Sequence, residues 1–332
     1  MLLSRHTRRR EFITLLGGTA AARPNLAAAI AGGRALVAML ISGSLDGYVP
    51  FVAAFRRGLQ QLGYVEGYDL EIVYRYSDGD PTRMPAFAEE FVNLKPDVIV
   101  TTSTSAALAA KRATTTIPIV SAILTDPIGN GVAASHAHPG GNVTGIEFTL
   151  NGLTGKQLEF AREIIPQTST VGLLVNMKAA SNPPQRRDAE AAANVLGIKL
   201  IPLDVHLPDQ LGTAFQTYAR ERVDWVAVLA DALFASERAR IATLALSLRI
   251  PTLFPIRENV EAGGLLSYGI DPLASYERAA YYVDRILKGA KADDLPIEFP
   301  TKLVLTINLK TAKALGLSIP QSLLATADEL IE

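Results

Sequence analysis

The chain has 332 residues, 48% hydrophobic and 20% charged, with a formal net charge of -1 at pH 7 and no cysteine. That length holds roughly two domains of about 150 residues, and the composition is that of a globular chain with a large core. Near-neutral charge supplies no field for nucleic acid or an anionic membrane. The missing cysteine excludes thiol catalysis, disulfides, cysteine-zinc sites and a lipid-modified cysteine tether.

The first segment reads as an address. Arg9-Arg10 ahead of Glu11-Phe12-Ile13 matches the twin-arginine export pattern. An apolar stretch from Phe12 to Ala22 follows, and Ala27-Ala28-Ala29 offers small residues for cleavage. Residues 1–33 are therefore expected to be a Tat-type signal peptide, with a periplasmic mature protein starting between Ala28 and Arg34. Beyond it no apolar run reaches the ~18 residues of a membrane span.

The body alternates strand and helix. Ala35–Ile41 is a continuous apolar run, as a buried parallel strand requires. Phe51, Val52, Phe55, Leu59 and Leu62 recur at helical spacing from Val49, and Gly63 stops that helix. Strands are expected at Leu70–Tyr74, Val98–Thr102, Ile119–Ile123 and Asn142–Ile146, with helices at Met84–Leu94 and Ser105–Ala113 between them. A second series follows, with strands at Val171–Val175, Lys199–Leu203, Trp225–Ala230, Thr252–Phe254 and Leu265–Gly269. Its helices fall near Gly152–Ile165, Pro184–Leu196, Pro208–Arg220, Ser236–Ser247 and Ser275–Lys288. Pro296–Asn308 is extended, and Leu309–Leu315 is a last short helix.

The two series resemble each other. Leu62-Gly63, Pro96-Asp97-Val98-Ile99-Val100 and Ile117-Pro118-Ile119-Val120 are echoed by Leu196-Gly197, Val223-Asp224-Trp225-Val226-Ala227-Val228 and Ile250-Pro251-Thr252-Leu253. Two similar α/β halves predict two lobes with parallel sheets and a ligand cleft between them. No low-complexity linker separates the halves, so several strands are expected to join them.

In parallel α/β sheets, ligands meet the loops at the carboxyl ends of strands. That rule selects Ser44 after the first strand, Ser103, Thr104 and Ser105 after the third, and Asp126 after the fourth. In the second half it selects Asn176, Asp231 and Tyr268. The hydroxyl run Thr101-Thr102-Ser103-Thr104-Ser105 leads straight into a helix, where free N–H groups and hydroxyls make a seat for a carboxylate. The plainer reading of Ser103 or Ser105 is helix capping. Asp126 and Asp231, in opposite halves, are candidates for holding an ammonium group. The plainer reading of each is turn formation and capping. Tyr268, Phe148 and Leu45 are candidates for the apolar part of the pocket.

Enzyme signals are weak. Gly129–Ala134 fits a loose dinucleotide-binding pattern but follows the fourth strand rather than the first. His136 and His138 lack a third ligand close by for zinc. There is no G-x-S-x-G elbow and no Walker phosphate loop. No cofactor, metal or catalytic residue is expected.

Several stretches together resemble one family. Asp126-Pro127-Ile128-Gly129 through Pro139-Gly140-Gly141-Asn142-Val143-Thr144-Gly145, Gly263-Gly264-Leu265-Leu266-Ser267-Tyr268-Gly269, and the tail from Leu295-Pro296-Ile297-Glu298 to Ala327-Asp328-Glu329-Leu330-Ile331-Glu332 are similar to the ABC-transporter substrate-binding family that includes tryptophan-binding lipoproteins. The resemblance implies a type I periplasmic-binding fold with two Rossmann-like lobes and a three-strand hinge. It divides the chain into one lobe of 34–147 plus 270–290 and another of 148–269 plus 291–332. It also implies a small-molecule solute, an ABC permease and ATPase as partners, and a carboxylate seat at Ser103, Thr104 and Ser105. Asp126, Asp231 and the Ser267-Tyr268-Gly269 stretch map onto family positions. The chain departs from the pattern at His136 and His138, and it lacks the lipid-bearing cysteine, so no direct membrane anchor is expected.

The leading expectation is a solute-binding component of an ABC importer that takes a small carboxylate or amino-acid-like ligand. The alternatives are a ligand-binding partner of a sensor kinase and an isomerase or racemase on the same scaffold.

Overall fold

A computed structural model describes residues 33–148, 152–299 and 303–332. The export segment expected at 1–33 lies almost wholly outside them. In chain order the first lobe contains β1 (Ala35–Ile41), α1 (Leu45–Gln61), β2 (Leu70–Tyr76), α2 (Met84–Leu94), β3 (Val98–Thr101), α3 (Thr104–Ala113), β4 (Ile119–Leu124) and β5 (Val143–Glu147). Its five strands are parallel in the order β2-β1-β3-β4-β5. Burial on both faces explains why β1, β3 and β4 are almost uninterrupted apolar runs.

The second lobe contains α4 (Leu153–Ile164), β6 (Thr170–Val175), α5 (Asn182–Leu196), β7 (Lys199–Asp204), α6 (Gln210–Arg220), β8 (Trp225–Val228), α7 (Ala232–Ser236), α8 (Arg238–Ser247), β9 (Thr252–Phe254), α9 (Arg257–Glu261) and β10 (Leu266–Ile270). Helix α10 (Pro272–Leu287) then returns to the first lobe and packs along α1. Gly58 permits that close crossing, since a Cβ there would meet the Ala280 methyl at 2.7 Å. β11 (Leu303–Asn308), α11 (Leu309–Leu315), α12 (Gln321–Thr326) and β12 (Glu329–Ile331) complete the second lobe. Its seven strands run β12-β11-β10-β9-β8-β6-β7, with β11 antiparallel to β10 and the other pairs parallel.

Four differences from the sequence reading have physical causes. Helix α1 starts at Leu45, not Val49, because Ser44 caps it by accepting from Gly47 N at 3.2 Å. Pro50 then lies inside the helix rather than at its start. The helix expected at Ser236–Ser247 is two, α7 and α8, the first capped by Asp231. α9, α12 and β12 are too short for hydrophobic periodicity to register. The stretch before β11, assigned to the second lobe, begins on the first. Thr144 Oγ1 donates to Leu295 O at 2.7 Å, Glu147 N donates to Glu298 O at 2.8 Å, and Ile297 belongs to the first core.

Candidate functional site

The carboxyl ends of both sheets face one cavity between the lobes. It offers about 70 Å³ to water centres, several times what a single water needs. The first lobe contributes Tyr48 and Phe51 from α1, Thr102, Ser103 and Thr104 at the start of α3, Thr125 after β4 and Phe148 after β5. The second lobe contributes Asp231 and Phe234 at α7, and Pro255, Ile256 and Asn259 around α9. Pro272 and Tyr276 enter from α10.

One wall is a hydroxyl network. Ser103 caps α3 by accepting from Ala106 N at 3.1 Å, and its Oγ shares a 2.6 Å hydrogen bond with Ser42 Oγ. Thr102 Oγ1 accepts from Ser42 N at 2.9 Å. Thr104 Oγ1 accepts from Thr125 N at 2.8 Å, which ties α3 to the loop after β4. These bonds hold the start of α3 against the cavity, where the first N–H groups of a helix have no partner within it. Such a helix start favours an anion.

Asp231 lies opposite. Its Oδ1 accepts from Asn176 Nδ2 at 3.2 Å and from Leu233 N at 2.9 Å. Asn182 and Gln185 anchor the preceding residue through Ala230 O, at 3.1 and 3.0 Å. Burial pushes the Asp231 carboxyl up to about 6, against the hydrogen bonds from Asn176 and the α7 backbone. A carboxylate that is costly to charge when empty is suited to a cation that would share its burial.

Aromatic rings form part of the remainder. Phe51 and Tyr276 stack with centroids 5.5 Å apart, and Tyr48 meets Phe51 edge-on at 5.2 Å. Burial, followed by the charge of Asp231, raises the Tyr48 hydroxyl far above its usual range, so it stays a neutral donor.

Of the residues selected from sequence, Ser103, Thr104, Phe148 and Asp231 line this cavity. Asn176 and Ser105 line a smaller adjoining pocket, joined by Ser103 and Asp231. Ser105 Oγ accepts from Ala180 N at 3.0 Å across the cleft. Ser44 is spent on capping and on accepting Gly47, and its own N–H donates to Ser236 Oγ at 3.1 Å. Leu45 is 59% exposed on the outer side of α1. Asp126 adopts a left-handed φ of 46° and accepts from Gly129 N at 2.9 Å, closing its own turn. Tyr268 faces the second core, edge-on to Phe160 at 5.2 Å. Tyr48, Phe51, Tyr276 and Asn259 escaped the sequence reading because they sit on helices, not at strand ends. The pair Tyr48 and Phe51, three residues apart on one helix face, was the available signal.

His136 Nε2 meets Glu147 Oε2 at 2.5 Å, and its ring packs against Phe299, so this histidine is tied into the end of β5. Among the described residues no group of three or more His, Asp or Glu is placed to hold a metal ion, and no helix is long and apolar enough to cross a membrane.

The family model described as ABC transporter substrate binding protein matches residues 36–331. A Vibrio cholerae conserved domain protein is 30% identical with a TM-score of 0.84, covering 89% of this chain and 99% of that one. The ABC domain from Streptococcus pneumonia, solved in complex with L-Trp, is 26% identical with a TM-score of 0.83, covering 90% of this chain and 100% of that one. A tyrosine-binding protein of Clostridioides difficile is 27% identical over 79% of this chain and 75% of its own length. The leucine-binding protein LivK of Thermotoga maritima, at 14% identity and a TM-score of 0.58 over 85% of this chain and 87% of that one, shares the fold alone. The two-lobed architecture is that of type I periplasmic-binding proteins.

Proposed function

The chain belongs to the ABC transporter substrate binding protein family, and from that premise we propose that it carries an α-amino acid with a large, flat side chain to an ABC importer. The observation that carries this reading is the opposition of Asp231 to the hydroxyl-lined start of α3 across one cavity, with aromatic rings and aliphatic side chains making up most of the remaining wall. Asp231 would take the ammonium group. Ser103, Thr104 and the α3 N–H groups would take the carboxylate. Phe51, Phe148 and Tyr276 would enclose the side chain. Relatives described as a complex with L-Trp and as tyrosine-binding support the same class.

The work is binding, without bond-making. Lobes swing open to admit the solute and close on it, and closure shifts the population toward a form that a permease and its ATPase subunits recognise. The carrier acts outside the cytoplasm, with the Arg9-Arg10 segment as its export signal. A thermal-shift screen of amino acids and small organic acids tests the proposal. An amino acid at 100 times its Kd should stabilise the fold by about 2.7 kcal/mol, and Asp231→Asn should remove most of that gain. A shift given by organic acids lacking an amine, unaffected by Asp231→Asn, would refute it.

A further inference from the structure

The amino-acid reading leaves one polar group in the cavity without work. Asn259 is 2% exposed and lines the cavity from α9. Its Oδ1 has no hydrogen-bond partner. Seven buried side-chain atoms lack a partner among the described residues, and only this one belongs to a residue lining the cavity. Buried amide oxygens are almost always bonded, because an unmet acceptor costs stability.

Strand order says which part of a ligand this amide would meet. Along the second sheet, Asn176 follows β6, Asp231 follows β8 and Asn259 comes after β9. Along the first, Ser103 and Thr104 follow β3, while Thr125 follows β4 and Phe148 follows β5. The polar ends of an amino acid are thus accounted for on the β3, β6 and β8 side. Asn259 comes from the β9 end, and Pro255 and Ile256 of the same turn line the cavity with it, as do Phe148 and Pro272. Those four residues offer no hydrogen-bonding side chain, and no other group in the wall pairs with the Asn259 Oδ1.

We infer that Asn259 is a specificity determinant, accepting a hydrogen bond from an indole N–H or a phenol O–H at the tip of an aromatic amino-acid side chain. This rests on the amino-acid reading of the same cavity. A site built around such an acceptor rejects analogues lacking the donor, because the buried oxygen is then left unpaired.

Two ligand pairs that differ mainly in the donor isolate the effect: L-tyrosine against L-phenylalanine, and L-tryptophan against β-(3-benzothienyl)-L-alanine. Calorimetry on the purified protein should show at least a tenfold preference for the donor-bearing member of one pair. In Asn259→Ala that preference should fall to about threefold or less, with the donor-free member binding as before. Equal affinity within both pairs in the unaltered protein overturns the inference, and that arm does not depend on a variant folding. A preference that survives in Asn259→Ala also overturns it. Asp231→Asn should weaken all four ligands together. If the unaltered protein binds none of the four, the amino-acid reading itself falls, whereas binding all four alike removes only the role of Asn259.

Discussion

Arg238 Nη1 donates to the carbonyl of Gly47 at 2.9 Å, joining the second lobe to the first at the mouth of the cleft. Ser44 N to Ser236 Oγ at 3.1 Å and Ala180 N to Ser105 Oγ at 3.0 Å make the same kind of link. All three cross from one lobe to the other, so parting the lobes would break them. Gly47 itself is required by the fit, since a Cβ there would lie 2.7 Å from Ser236 Cα. A lost hydrogen bond of about 1 kcal/mol corresponds to roughly a fivefold change. Arg238→Ala should therefore release ligand about fivefold faster, with little change in the association rate. Stopped-flow dissociation reads this directly, and an unchanged rate would mean that the latch contributes nothing.

Asp231 sets a pH dependence. Burial raises its carboxyl to about 6 in the empty site, from an ordinary 3.8. The folded chain therefore holds this proton longer than the unfolded chain. The stability it contributes is complete below about 3.8 and is lost as pH rises through 6. Ligand affinity runs the other way, because an ammonium group pairs with the ionised acid. Calorimetry should show affinity tightening between pH 5 and 7. In Asp231→Asn the profile should be flat and binding weaker by roughly 30-fold or more.

Glu258 gives a second, ligand-independent pH effect. It is buried on α9, its Oε2 has no partner, and desolvation pushes its carboxyl up to about 7 from 4.5. Charging it on folding is costly, so raising the pH from 4.5 to 7 should erode stability by at most about 3 kcal/mol. Glu258→Gln keeps the neutral shape. Its melting temperature should exceed that of the unaltered protein at pH 8 and match it near pH 4.5.

Gly145 tests the first sheet. Its φ is 150°, and a Cβ there would fall 2.1 Å from the Ser121 carbonyl oxygen on β4. Gly145→Ala must part β4 from β5 beside the cavity. A loss of several kcal/mol, seen as a melting point lower by roughly 10 °C, is expected.

How far the molecule could be read from its sequence depended on which feature carried the signal. Buried parallel strands such as Ala35–Ile41 and Val98–Thr101 announce themselves as apolar runs, and the repetition of two similar α/β series implies the two-lobed plan. Strand-end logic reached Ser103, Thr104 and Asp231, because a parallel sheet delivers those positions to the cleft, and Phe148 was reached separately as an apolar candidate. It could not reach Tyr276 or Phe51, whose meeting depends on α10 returning to pack on α1 across more than 200 residues of chain. Asn259 was hidden because α9 is five residues long and has no period to detect. Tyr268 was expected at a strand end, but it is the middle residue of β10 (Leu266–Ile270), flanked by β9 and β11, and its ring turns to Phe160 and the interior of the lobe.

The most direct test is isothermal titration of the purified protein with L-tyrosine and L-tryptophan, followed by recovery of the ligand. The account predicts saturable binding of one of them at one molecule per chain, with the amino acid recovered unchanged. Absence of binding by both, or recovery of a chemically altered or racemised amino acid, would contradict it.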